Sequence, residues 1–179
     1  MGFKYKIRSD KPYFLTHTIV DWVDVFTRRE FANVVVDSLN YCVNKKDLEV
    51  YAWCLMPSHL HMIARSAENS ENDLSAIMRD FKKFTSKTII ETMSEIGESR
   101  RDWMMNHFHV GLNTYQVWQE GMHPIELSKR RFTNQKLDYI HNNPVVAGIV
   151  REPWDYLLSS AVDYAFPNRK GLVKICFIE

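Results

Sequence analysis

The sequence lacks the features of a membrane protein, a disulfide-bonded protein or a zinc-knuckle protein. None of its apolar runs approaches the roughly 18 residues that suggest a membrane span. Residues 1–6 lack the apolar stretch of a signal peptide. The three cysteines are odd in number and widely separated, unlike a disulfide framework or a paired zinc-binding pattern. We therefore expect a cytoplasmic protein without a membrane partner.

An excess of charge of one sign is also missing. The 23 Lys and Arg residues nearly balance the 22 Asp and Glu residues, for a formal net charge of +1. Total charge therefore gives no indication of a nucleic-acid partner, although basic residues cluster at 79–83 and 129–131 and could hold a phosphate backbone locally. A length of 179 residues with 45% hydrophobic residues predicts one compact domain over residues 1–179.

The predicted elements follow the order β-α-β-β-α-β. Aromatic and β-branched residues predict strands over 13–20, 48–55, 59–64 and 115–118. Apolar residues at helical spacing predict helices over 27–46 and 70–93. This order is typical of the ferredoxin-like α+β fold, an antiparallel sheet whose first and third strands are central.

The ends of the helices and the later segments are predicted from local signals. A capping-box pattern at Thr27 predicts the start of the first helix. The sheet and its helices occupy about 10–120. A further helix is expected over about 133–143, with Thr133 as its cap and Pro144 as its end. Residues 150–179 form a C-terminal extension with a helical stretch at 159–165 and an extended stretch at 172–178.

Two histidines alternate at the start of a predicted strand. His59 and His61 should point to one face of the sheet, while Leu60 enters the core. Two imidazoles so placed can bind one metal ion, and the alternative is a pair of surface or hydrogen-bonded histidines. His107 and His109 lie at the end of a helix-like stretch, where positions i and i+2 face apart, so no site is predicted there.

A second candidate feature lies on the late helix. Tyr139 and Asn143 are one turn apart on the same helical face, so a nucleophilic phenol and an amide oxygen ligand could share a site. A protonated phenol is a poor nucleophile and needs a base or a metal-polarised phosphate. The alternative is a partly buried tyrosine before a helix-ending Asn-Asn-Pro. His141 points away from Tyr139 and is given no role.

Two segments resemble a known family. Residues 56–61, Met-Pro-Ser-His-Leu-His, resemble the histidine–hydrophobe–histidine motif of single-tyrosine transposases. Residues 139–148, Tyr-Ile-His-Asn-Asn-Pro-Val-Val-Ala-Gly, resemble the tyrosine helix of the REP-associated tyrosine transposases, which are insertion-sequence-200-like enzymes. Similar stretches at 51–55, 79–84 and 153–161 follow in the same order, so the resemblance covers nearly the whole chain.

The resemblance implies an enzyme that cuts and rejoins single-stranded, hairpin-associated DNA. His59 and His61 would then bind a divalent cation, Mg²⁺ or Mn²⁺, and Asn143 would complete its shell. Tyr139 would become linked to the 5′ phosphate of the cut strand. Relatives in this broad class form dimers, so a homodimer stays open. The ferredoxin-like fold of the family agrees with the predicted element order.

Six basic residues are candidates for holding the DNA backbone. They are Arg79, Lys82, Lys83 and Lys87 on the second helix and Arg130 and Arg131 just before the tyrosine helix. A solvated helix face is the alternative for these charges. Trp118 and Trp154 have apolar neighbours and are predicted to lie in the core rather than to stack on bases.

Two other functions stay open on the sequence alone. One is a non-catalytic, domesticated module that only binds nucleic acid. The other is a metal-dependent phosphodiesterase that uses water, with Tyr139 in a structural role. A covalent protein–DNA adduct would distinguish the transposase from both.

Overall fold

The computed structural model of the chain describes residues 11–112 and 114–178, so the expectation made for residues 1–6 lies outside the described residues. The strands are β1 (Tyr13–Thr18), β2 (Leu48–Met56), β3 (His59–Ser66), β4 (His109–Gly111), β5 (Thr114–Tyr115) and β6 (Ile125–Glu126). The helices are α1 (Arg29–Lys45), α2 (Leu74–Glu95), α3 (Arg101–Phe108), α4 (Arg130–Val146) and α5 (Ala161–Ala165). The main sheet has the order β2-β3-β1-β6, with every pair antiparallel. The predicted antiparallel α+β fold, with the first and third strands central, is confirmed.

The two faces of the main sheet carry different helices. On one face, α1 and α2 cover the larger hydrophobic core, into which Leu15 and Leu60 point. On the other face, Phe14 and Ile63 pack with Ile140 of α4 in a smaller cluster. Because neighbouring residues of a strand face opposite ways, the side chains that flank Leu60 lie on the α4 face.

The hairpin of β2 and β3 is built as the sequence predicts. Only Pro57 and Ser58 separate the two strands, and Met56 pairs with His59 across the turn. On its other side β3 pairs with β1, and Thr16 lies opposite His61. Both histidines therefore belong to a strand held from both sides.

The prediction of a fourth strand at 115–118 is wrong. Thr114 and Tyr115 pair with β4 in a separate two-stranded sheet, and Trp118 makes only an isolated bridge to Ile19. The fourth position of the main sheet is taken by β6, which pairs with Tyr13 and Phe14 at the start of β1.

The edge of the sheet is broken because side chains hold the intervening segment away from β1. Trp118 is 1% exposed and donates its indole N–H to the Thr85 hydroxyl at 2.9 Å. Lys82 donates to the carbonyls of Gln119 and Gly121 at 2.6 and 3.3 Å. Gly121 adopts a positive φ of 80°, a conformation that glycine adopts without a steric penalty, and turns the chain before β6.

The first helix does not begin with the predicted capping box. Thr27 lies in a 3-10 turn, Val25–Thr27, and its hydroxyl donates to the carbonyl of Asp24 at 2.9 Å. Arg28 is the N-cap of α1, and no side chain caps that helix. The second helix begins later than predicted, after Asp73, whose carboxylate accepts from the N–H of Ala76 at 2.7 Å.

Helix α4 is longer at both ends than the predicted 133–143. It begins at Arg130, so Thr133 lies inside it, and Pro144 does not end it. The buried Pro144 ring packs within the last turn. Gly148, with a φ of 71°, ends the helix, and its N–H donates to the Val145 carbonyl at 2.9 Å.

The C-terminal segment lies against β2. The N–H of Leu55 donates to the Leu158 carbonyl, and the N–H of Cys176 donates to the Val50 carbonyl, each at 2.8 Å. Trp118 lies in the core as predicted, whereas the prediction for Trp154 is wrong: it lies in a surface 3-10 turn and is 40% exposed. No helix among the described residues is long and apolar enough to cross a membrane.

Candidate active site

Three of the predicted site residues lie together on the α4 face of the sheet. The ring centroids of His59 and His61 are 4.6 Å apart. The hydroxyl of Tyr139 lies 3.4 Å from Nε2 of His61, although the two residues are 78 positions apart in the sequence. Tyr139 is 47% exposed, so its phenol borders both the imidazoles and solvent. The helix that supplies it belongs to the same chain.

Hydroxyl groups fix the orientation of both imidazoles. Thr16 Oγ1 lies 2.9 Å from Nδ1 of His61, and Ser58 Oγ lies 3.2 Å from Nδ1 of His59. Such partners on one ring nitrogen fix the tautomer and the ring plane and leave Nε2 for a ligand. Thr16 could not be identified from the sequence, because its contact depends on the pairing of β1 with β3.

Burial keeps both imidazoles neutral at neutral pH. Burial, followed by the charges of His59 and Lys136, lowers the pKa of His61 to about 3. Burial also lowers the pKa of His59. The neutral imidazole is the form that binds a metal, and a histidine with so low a pKa is a weak proton acceptor.

The two neutral imidazoles, with Nε2 available on each, fit a divalent cation. Among residues 11–112 and 114–178, no group of three or more His, Cys, Asp or Glu side chains is placed to hold a metal ion. A cation at His59 and His61 would therefore need further oxygen ligands. Asn143, half-buried and one turn beyond Tyr139, is a candidate, although no hydrogen bond joins its amide to either imidazole.

Lys136 is a residue of the site that the sequence interpretation missed. Its ammonium lies 4.4 Å from the centre of the Phe14 ring and 5.5 Å from the centre of the Tyr139 ring. These distances are in the range of cation–π interactions. Its position three residues before Tyr139 on one helix was a signal that could have identified it.

Trp22 is a second residue that was missed, and it lies beside His59. The two ring centroids are 5.5 Å apart, and 60% of Trp22 is exposed. Trp22 and the preceding Asp21 have φ values of 57° and 52°. Residues with side chains lose on the order of 1 kcal/mol each in this left-handed region, so other contacts must hold the turn.

The predicted DNA-binding residues of α2 do not border the histidines. They lie on the helix that covers the opposite face of the sheet. Lys82 is engaged by two backbone carbonyls, Arg79 pairs with Asp80 at 3.2 Å, and the Lys87 ammonium lies 3.7 Å from Glu91. Arg130 and Arg131 are exposed at the start of α4, the helix that carries Tyr139.

The remaining histidine of α4 has a structural position. His141 is buried on the side of the helix away from Tyr139, as expected, and its Nε2 lies 2.9 Å from the Ser160 hydroxyl. Its ring also contacts Tyr164, and burial lowers its pKa to about 4. His141 therefore connects α4 to the C-terminal segment.

An antiparallel sheet that presents two neutral histidines to a helix-borne tyrosine defines a class of DNA-cutting proteins, and the sequence agrees. The family description "Transposase IS200 like" matches residues 21–143, which is more than half of the chain. The chain belongs to the IS200-like transposases.

Solved structures show the same fold. A REP-associated tyrosine transposase bound to a REP hairpin aligns with a TM-score of 0.65 and 17% identity, over 100% of this chain and 93% of the other. A candidate transposase from Deinococcus radiodurans R1 aligns with a TM-score of 0.50 and 14% identity, over 79% of this chain and 95% of the other. No curated protein sequence matches this chain significantly.

Proposed function

We propose that this transposase cuts and rejoins single-stranded, hairpin-associated DNA through a 5′-phosphotyrosine at Tyr139. The observation that carries the proposal is the 3.4 Å approach of the Tyr139 hydroxyl to Nε2 of His61. It puts an exposed nucleophile next to a pair of metal-type ligands. The REP hairpin bound to the relative with the same fold supports a hairpin substrate for this chain as well.

The proposed metal ligands are His59, His61 and Asn143. Bound there, Mg²⁺ or Mn²⁺ would withdraw charge from the scissile phosphate and favour its attack by a phenol. With a pKa held near 3, His61 acts as a ligand rather than as the base that takes the phenol proton.

The proposed cut is an exchange of two phosphoester bonds. The Tyr139 oxygen forms a bond to phosphorus, and the bond from phosphorus to the 3′ oxygen breaks. The phenol loses its proton and the departing 3′ oxygen gains one, so protons and charge balance. A 3′ hydroxyl from another end can reverse the step, which rejoins DNA without any outside source of energy.

Cations of α4 are the nearest candidates to hold the DNA backbone. Lys136 lies over the Tyr139 ring, and Arg130 and Arg131 begin the same helix. We propose that Arg79, Lys83 and Lys87 meet only DNA that extends beyond the site, and that the charge of Lys82 serves chiefly to hold the edge segment. We also propose that residues 1–179 act as one domain, because the C-terminal segment is hydrogen-bonded to β2.

The test is covalent capture of DNA. The protein is incubated with hairpin-bearing single-stranded DNA and Mg²⁺ or Mn²⁺, and adducts are separated on a denaturing gel. We expect an adduct that the chelator EDTA prevents and that Tyr139→Phe abolishes. Tyr41→Phe is the matched control, since Tyr41 is also exposed but lies on α1, on the opposite face of the sheet.

The histidine variants complete the test. His59→Ala and His61→Ala should fold and bind DNA but form no adduct. Cutting at the normal rate by either variant would show that the metal assignment is wrong. Cleavage without an adduct would indicate hydrolysis by water, and binding without cleavage would indicate a non-catalytic module.

A further inference from the structure

The turn Val20–Trp22 holds an exposed indole at the edge of the candidate active site. Trp22 contacts the ring of His59 edge to face, and its exposure leaves an aromatic face open to solvent. Packing alone does not account for this placement, because a buried indole removes far more apolar surface from water.

The backbone of this turn is held in its unfavourable conformation from two sides. The N–H of Ile19 donates to the Ser58 carbonyl, and the N–H of Phe26 donates to the Pro57 carbonyl, both at 2.9 Å. These bonds connect the turn to the two residues that precede His59. The position of Trp22 is therefore fixed relative to that histidine.

Helix α3 supplies the second support. Nδ1 of His107 lies 2.8 Å from Oδ2 of Asp21, and the ring of Trp103 packs against His107 at 4.6 Å between centroids. Arg100 adds an ion pair to Asp24 at 2.8 Å. His107 thus contacts the first of the two left-handed residues and acts on Trp22 through it.

We infer that Trp22 is a stacking platform for an unpaired base of the DNA strand, next to the phosphate at His59 and Tyr139, and that His107 is its positioning residue. The inference rests on the proposed function, which brings single-stranded DNA to this site. Every base has an aromatic face, so stacking on an indole is tolerant of sequence and adds affinity for each base so held. In a strand, a base is joined to its phosphate through one sugar, so an aromatic ring beside a phosphate-binding histidine meets that nucleotide.

The experiment compares two strands with the same backbone. The full-length protein is titrated with a labelled oligothymidylate of about ten nucleotides and with a strand of equal length in which every residue is abasic. We expect the wild type to prefer the oligothymidylate by about tenfold. Trp22→Leu should lose this preference and keep its affinity for the abasic strand, whereas Trp22→Phe should retain most of it.

The control and the positioning residue use the same measurement. Trp154→Leu, at an exposed indole that packs against Phe166, should leave the preference unchanged. His107→Ala should reduce the preference, and His107→Asn, which can still donate a hydrogen bond to Asp21, should restore it. A destabilised but correctly arranged variant would weaken binding to both strands alike.

A Trp22→Leu variant that keeps the full preference would overturn the inference, and so would a wild type without any preference. The readout is binding and does not require cutting. Failure of the Tyr139 adduct would therefore contradict the proposed function and leave the stacking result intact. Normal adduct formation with an unchanged preference in Trp22→Leu would do the opposite.

Discussion

Buried histidines with a lowered pKa occur in this protein both inside and outside the candidate site. His61 and His17 each have a pKa lowered to about 3, mainly by burial. His61 has a hydroxyl on one nitrogen and faces Tyr139 with the other. His17 lies on the other face, between the rings of Phe81 and Trp118. A lowered pKa alone thus does not identify a site, and the partners of the ring nitrogens do.

His17 should make the fold sensitive to acid. Between pH 6.5, its ordinary pKa, and pH 3, the unfolded chain binds a proton at His17 that the folded chain does not bind. Its contribution to stability is complete above pH 6.5 and decreases as the pH falls. From pH 6.5 to 4 we expect a loss of about 3 kcal/mol in the free energy of unfolding from this residue.

Urea denaturation of His17→Leu at pH 7 and pH 4 measures this effect. Neither ring nitrogen of His17 bonds to a described residue, so an apolar replacement of similar size should change stability little at pH 7. The variant should lose about 3 kcal/mol less than the wild type on acidification. An equal loss in both proteins would contradict the assignment, because His61 and His141 would then account for all of the acid sensitivity.

At the scale of the element, α4 brings together the chemistry that the site needs. Lys136, Tyr139 and Asn143 are spaced at three and four residues and so lie along one side of the helix. Arg130 and Arg131 form its exposed start. The cations of α2 belong to a helix on the other face of the sheet. We therefore expect α4 to dominate contact with the DNA backbone.

Salt dependence of binding distinguishes the two helices. Arg130→Gln with Arg131→Gln should weaken single-strand binding at all sequences and lower the slope of log K against log salt by about 1. Lys83→Gln with Lys87→Gln removes the same charge from α2 and should change the slope much less. A larger change for the α2 pair would show that the strand runs over that helix instead.

The elements also show what the sequence could and could not predict. The period of two along β3 predicts that His59 and His61 share a face, and the period of the helix predicts the same for Tyr139 and Asn143. Both follow from local geometry. The contact between Asp21 and His107 spans 86 residues and depends on how α3 packs, so no spacing predicts it.

Misplaced elements have the same origin. Residues 115–118 have the composition of a strand, but the burial of Trp118 and the hold of Lys82 on two carbonyls decide where the edge strand breaks. Pro144 carries a helix-ending signal, yet tertiary packing and Gly148 set the end of α4. In both cases tertiary contacts outweigh local propensity.

At the scale of the whole molecule, α4 folds onto the sheet of its own chain. Ile140 is fully buried between helix and sheet, and His141 is bonded to Ser160 of the C-terminal segment. Exchange of α4 with a partner subunit would break these contacts or require their exact replacement. The structure thus places Tyr139 beside the histidines without a second subunit.

Mixing of inactive variants tests whether one chain is sufficient. Tyr139→Phe keeps the histidines, and His61→Ala keeps the tyrosine, so a homodimer with exchanged α4 helices would rebuild one intact site when the two are combined. We expect no adduct from the mixture, because each site needs both groups in one chain. A mixture of wild type with Tyr139→Phe is the control for inhibition by the inactive partner, and light scattering gives the oligomeric state. An adduct from the mixed variants, absent from each alone, would show that the tyrosine acts on the partner's site; its absence in a protein that is dimeric by light scattering would mean that any homodimer keeps two self-contained active sites.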